Sequence, residues 1–149
     1  MANTGYKWGS WAFVQKTGAG GDWDDVGIAD DAGQLSDALS LDQKESFQLG
    51  IIIAEDNTGA VVANSVTVAV LTTPDGSTWE DAPGLAGAQI GLPYKFSVTP
   101  VQNDIVYLSP VISAKWFGPD PKIYILNESG QILVTDVKYR TTDIPVATA

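Results

Sequence analysis

The chain has 149 residues, 18 of them acidic and 8 basic, a formal net charge of −10, and neither histidine nor cysteine. Those absences exclude a Ser-His-Asp triad, a Cys-His dyad, a histidine general acid or base and a thiolate nucleophile. Zinc, copper, iron–sulfur and haem sites lose their usual ligands too, which leaves oxygen-liganded Ca²⁺ or Mg²⁺ as the metals to consider. No disulfide can form, so the fold must be held by its core. A chain of this length buries roughly 68–70% of its unfolded surface. Hydrophobic residues make up 44% and charged residues only 17%, which describes a globular domain rather than an acidic tail. The negative balance argues against a nucleic-acid surface, which needs clustered Lys and Arg to displace counterions, and against an anionic membrane. The stretch Gly50-Ile51-Ile52-Ile53-Ala54 is too short to cross a bilayer, and residues 1–13 lack the apolar run of a signal peptide, so the chain is expected to stay in the cytosol of the cell that makes it.

In chain order, residues 1–17 carry Tyr6, Trp8, Trp11 and Phe13, four aromatics that either form a first strand of the core or dock on another chain. Residues 18–33 (GAGGDWDDVGIADDAG) are rich in Gly and Asp with little periodicity, and read as a surface loop. Residues 1–33 are therefore expected to be an extended N-terminal arm with its acidic loop, and 34–149 the folded body. Residues 47–54 have the β-branched, apolar character of a buried strand, with Asn57-Thr58-Gly59 as the turn after it. Val66, Val68 and Val70 share one parity of the next strand, and Thr73-Pro74-Asp75-Gly76-Ser77 supplies a tight turn from which Trp79 opens the return strand. Residues 94–99 alternate, 104–112 are nearly continuously apolar, and 122–126 are short and β-rich. The segment 131–140 ends with Val137 and Tyr139 on one side and Asp136, Lys138 and Arg140 on the other, the pattern of one wet face. No segment carries a helical stripe. About seven to eight short strands with Gly, Pro and Asp between them predict an antiparallel β-sandwich, immunoglobulin-like or jelly-roll-like.

Asp22, Asp24 and Asp25, with Asp30 and Asp31 nearby, form the candidate Ca²⁺ loop, since a flexible acidic turn can supply several oxygens. The run lacks the D-x-D-x-D-G order of an EF-hand, and a solvated acidic loop is the simpler reading, so no cofactor is expected. Glu55-Asp56 and Glu80-Asp81 are adjacent pairs whose side chains would point to opposite faces of a strand, which opposes a glycosidase-type carboxylate pair. Catalysis is not expected. Trp79 and Trp116 are candidate sugar platforms on a carbohydrate-binding module, or core and corner aromatics. Tyr6, Trp8, Trp11 and Phe13 are candidate partner contacts, because protein interfaces favour aromatic residues. Asn127-Glu128-Ser129 matches a glycosylation pattern but reads better as the turn before Gly130.

Leu39-Ser40-Leu41-Asp42 leading into residues 47–54, then 66–71, then Pro74-Asp75-Gly76-Ser77-Thr78-Trp79, then Leu108-Ser109-Pro110-Val111, resembles the small β-sandwich proteins that decorate or cement the heads of tailed bacteriophages. The likeness covers about residues 35–140 and consists of a strand order and a D-G-x-x-W hairpin. It implies a non-enzymatic virion protein on the capsid exterior, with the major capsid protein as partner, and a dimer or trimer as a plausible assembly. It transfers no functional residue. Similar hairpins occur in phage tail and baseplate proteins, which keeps that role open beside the sugar-binding one.

Overall fold

The structure is a computed structural model that describes residues 7–17, 21–55, 66–79, 94–98 and 105–145. Among these residues it contains ten strands: β1 (Ala12–Phe13), β2 (Val26–Ile28), β3 (Ala32–Leu35), β4 (Lys44–Glu55), β5 (Val66–Leu71), β6 (Tyr94–Val98), β7 (Ile105–Leu108), β8 (Ile112–Ser113), β9 (Lys122–Asn127) and β10 (Leu133–Asp143). A single 3₁₀ turn, Ala114–Trp116, follows β8. Described residues contain no helix long and apolar enough to cross a membrane.

All the strand pairs are antiparallel and form two sheets. The larger runs β1–β10–β4–β7, with β2 continuing along the flank of β10 and β8 along the flank of β4; the smaller runs β3–β9–β5–β6. Alternation on the long strands explains why the two sheets pack. Phe47, Leu49, Ile51 and Ile53 share one face of β4, and Leu133, Thr135 and Val137 continue it on β10. Val66, Val68 and Val70 on β5 and Ile123 and Ile125 on β9 face them from the other sheet, all buried. Each such side chain contributes about 1.5–3 kcal/mol by leaving water. Phe47 and Phe117 close one region of this core edge to face, with centroids 5.8 Å apart. A second cluster lies on the opposite face of the smaller sheet, where Ala69 and Leu71 pack against Leu35, Trp79 and Tyr124. There Gly33 makes room for Tyr124, whose hydroxyl end would have to move aside for any Cβ at that position.

The β-sandwich is as expected, with ten strands rather than seven or eight. The extra strands arise mainly where an arm and an acidic loop were expected. Residues 12–13 pair with β10, Val14 is buried, and its N–H donates to the Val137 carbonyl at 2.9 Å. Thr17 N–H then reaches the Leu35 carbonyl at 3.1 Å, and Asp37 N–H the Gln15 carbonyl at 2.8 Å, so the N-terminal segment ties the two sheets together. Trp23 is wholly buried in the core, and β2 and β3 follow it directly. The division at 33/34 falls inside β3 and marks no physical boundary. Aromatic residues explain the difference: a segment this apolar gains more by adding to a sheet edge than by staying in water. The 73–77 turn forms as read, Gly76 at φ +78° and Asp75 accepting from the backbone N–H groups of Ser77 and Thr78 at 2.9 and 2.7 Å. Trp79 itself lies outside any strand. Tyr6, Asn57-Thr58-Gly59 and Glu80-Asp81 lie outside the described residues.

Candidate functional site

The outer face of the larger sheet carries the feature that distinguishes this molecule. Because Gly50 pairs with both Leu108 and Lys138, and Ile52 with both Val106 and Asp136, their side chains form rows across the sheet. One row runs Leu108, Gly50, Lys138, Phe13; the next runs Val106, Ile52, Asp136. A third pairs Gln48 with Arg140 and continues to Trp11. Together Trp11, Gly50, Ile52, Val106, Leu108, Asp136, Lys138 and Arg140 line an open groove of about 330 Å³. Its apolar members are strongly solvent-facing: Val106 is 63% and Leu108 62% exposed, and Trp11 37%.

Gly50 shapes the groove by having no side chain. The Trp11 ring lies over it so closely that an added Cβ would sit 3.1 Å from Cζ3 and 3.3 Å from Cη2. Arg140 contacts the same indole and that of Trp8. Its guanidinium carbon lies 4.4 Å from the centroid of Trp8 and 4.8 Å from that of Trp11. Nε and Nη2 both donate to Gln48 Oε1, at 3.0 and 2.8 Å. Cation–π stacking and a shared acceptor thus hold a long side chain in one orientation. Lys138 makes the equivalent contact with Phe13, its ammonium 4.5 Å from the ring centroid.

Of the aromatic partner candidates, Trp8, Trp11 and Phe13 are brought together on this face by β1 and by the bridge from Trp8 to Thr142. The sequence reading missed Val106 and Leu108 as members. A nearly continuous apolar run is the pattern of a strand covered on both faces. Among the described residues β7 is instead the last strand of its sheet, so its second apolar face stays open. Parity would have flagged this, because Gly50 and Ile52 fall on the solvent parity of β4.

The two sugar-platform candidates differ in environment. Trp79 is half-buried, its indole N–H donates to the Asp120 carbonyl at 2.9 Å, and Lys122 covers its ring with Nζ 3.9 Å from the centroid. Trp116 is 70% exposed on the 3₁₀ turn. The acidic candidates separate as well. Asp24 and Asp25 come within 4.8 Å of Asp136, whereas Asp22 accepts a hydrogen bond from Gln15 Nε2 at 2.5 Å. The Asp25 backbone N–H donates to Asp136 Oδ1 at 2.6 Å. Desolvation, then the charges of Asp136 and Asp25, raise the Asp24 pKa above the ordinary value. Asn127 is buried: Nδ2 donates to the carbonyls of Ile28 and Gln131 at 2.9 and 2.7 Å, and Oδ1 accepts from Ser129 N–H at 2.9 Å. Asn127 ends β9 rather than lying in the turn, which begins after it, and its amide is fully engaged and leaves no face for a glycan.

The molecule is therefore an antiparallel β-sandwich with an aromatic and aliphatic groove on one outer face. No protein-family model matches the sequence, and no curated protein matches it either. Among solved structures, the crystal structure of the mitogen derived from Yersinia pseudotuberculosis aligns over 94% of this chain and 90% of its own, with 13% identity and a TM-score of 0.36.

Proposed function

We propose that this protein is a non-enzymatic structural component of a tailed-phage virion, bound to the outer surface of the capsid, which it decorates or stabilises. The observation that carries this reading is the outer face of the larger sheet, where Trp11, Val106 and Leu108 are left in solvent around Gly50. Large apolar side chains clustered on an otherwise well-packed domain mark an interaction surface. The absence of histidine and cysteine suits a protein whose task is binding, and the resemblance of residues 35–140 to head decoration proteins supplies the kind of partner, the major capsid protein. Repetition of a modest contact over a symmetric shell would make weak single sites sufficient. Assembly as a dimer or trimer about a shell axis belongs to the same proposal.

Co-sedimentation of the full chain with undecorated phage heads tests it. Saturable binding is expected, with Val106→Asp/Leu108→Asp abolishing it while the variant remains folded. Failure of the unmodified chain to bind heads would overturn the proposal. Labelling of tails instead of heads by an antibody against the chain would move it to the tail or baseplate.

One observation favours the second reading, sugar binding: the exposure of Trp116. Binding to a glycan array that disappears with Trp116→Ala would support it, and a blank array would remove it. Trp79 is the weaker platform, since Lys122 occupies one face of its ring.

A further inference from the structure

The groove on the larger sheet has two poles of opposite charge. Arg140 and Asp136 lie four residues apart on the same face of β10, a separation of roughly 13 Å along an extended strand. Between the poles lies the row of Leu108, Gly50 and Lys138, with the Trp11 ring over Gly50, while Ile52 and Val106 extend the Asp136 row as an apolar flank. At the positive pole, Arg140 is held by Trp8, Trp11 and Gln48, and Gln48 uses only Nε and Nη2. At the negative pole, Asp136 has Asp24 and Asp25 beside it. Lys138 stands between the poles, but its ammonium sits over the Phe13 ring.

The geometry points to a docking groove for an extended segment of the partner polypeptide, whose groove-facing side chains at i, i+2 and i+4 are acidic, aliphatic and basic. The acid meets Arg140, the aliphatic side chain packs at the level of Gly50 against the Trp11 ring and Leu108, beside Ile52 and Val106, and the base meets Asp136. Alternate residues of an extended chain face the same side about 6.7 Å apart, so i to i+4 spans roughly 13 Å, which matches the distance between the poles. Fixing Arg140 in advance also lowers the ordering cost of the contact. This inference rests on the outer face being the docking surface, and adds the chemistry of what docks there.

The test is a ¹⁵N NMR titration of the full chain with three blocked peptides, Ser-Glu-Ser-Leu-Ser-Lys-Ser and its counterparts carrying Glu or Lys at both charged positions. The mixed-charge peptide is expected to shift the Gly50 amide and the Trp11 indole N–H, and to bind a few-fold more tightly than either counterpart, the size of an exposed charge pair. Arg140→Gln should weaken the mixed peptide by a similar factor, Gly50→Val should displace the Trp11 ring and weaken all binding in the groove, and Asp136→Asn, which keeps the acceptor for Asp25 N–H, should narrow the preference for the mixed peptide over the two-Glu one. Equal binding of all three peptides, shifts confined to other surfaces, or no shifts at all would overturn the inference. Heads that bind the chain regardless of these substitutions, with a silent peptide titration, would leave the capsid proposal standing and remove this one. A peptide response without head binding would do the reverse.

Discussion

The indole N–H of Trp23 donates to the Thr135 hydroxyl at 2.8 Å, joining residues 112 positions apart. That hydroxyl donates onward to the Val26 carbonyl at 3.0 Å, so a wholly buried tryptophan, β2 and β10 share one polar chain in an apolar core. Buried polar groups are stable only when paired, which makes the chain sensitive at either end. Trp23→Ala is expected to cost about 3–5 kcal/mol through cavity formation. Thr135→Val, which leaves the indole N–H and the Val26 carbonyl unpaired, should cost about 1–3 kcal/mol. Urea unfolding measures both.

Asn127 satisfies three neighbours with one amide. Asn127→Asp replaces the donating amide nitrogen with an oxygen that faces two carbonyls in a buried site. A loss of at least about 2 kcal/mol is expected, more than for an exposed amide, read as a lower thermal midpoint.

The exposed turn at residues 73–77 gives a pH signal of known sign. Asp75 is held at about 2, below its ordinary 3.8, by the backbone N–H groups of Ser77 and then Thr78. Because the folded value lies below the unfolded one, its contribution is fully present above the unfolded value and fades as pH falls toward 2. Asp24 has the opposite sign. Its folded value is raised by desolvation and by Asp136 and Asp25, so the strain it imposes at neutral pH is relieved as pH falls through that value. A ¹³C carboxyl titration should find Asp75 the more acidic of the two, and Asp75→Ala should remove its share of the acid dependence of unfolding.

Trp116 and Trp79 should respond differently to truncation. Trp116→Ala is expected to change stability by less than about 0.5 kcal/mol, as for other exposed positions. Trp79→Ala loses the bond to Asp120, the Lys122 contact and packing against Leu71, and should cost about 1–3 kcal/mol. Denaturant midpoints of the two variants, compared side by side, check the ranking.

Much of the fold was legible because it depends on local pattern. Val66, Val68 and Val70, the alternation of Val137 and Tyr139 with Asp136, Lys138 and Arg140, and the Pro-Asp-Gly turn each announce a strand or a bend within a few residues. The acidic segment misled for the same reason. Its Gly and Asp residues describe a loop, while Trp23 within it is governed by Thr135, which lies far along the chain. The groove was half legible: Trp8, Trp11 and Phe13 stood out as aromatics needing a surface, but their companions Val106 and Leu108 were hidden inside a run that reads as core.

What the sequence alone determined is a disulfide-free, acidic, all-β domain without histidine or thiol chemistry, because composition and period-two patterning are properties of single residues and near neighbours. Only the tertiary structure decided which strand lies at an edge, which apolar face stays open, and that Arg140 stands between two tryptophans from a segment more than a hundred residues earlier. Those are matters of strand order, which depends on pairings between distant segments, whereas the period-two pattern fixes only which side chains share a face.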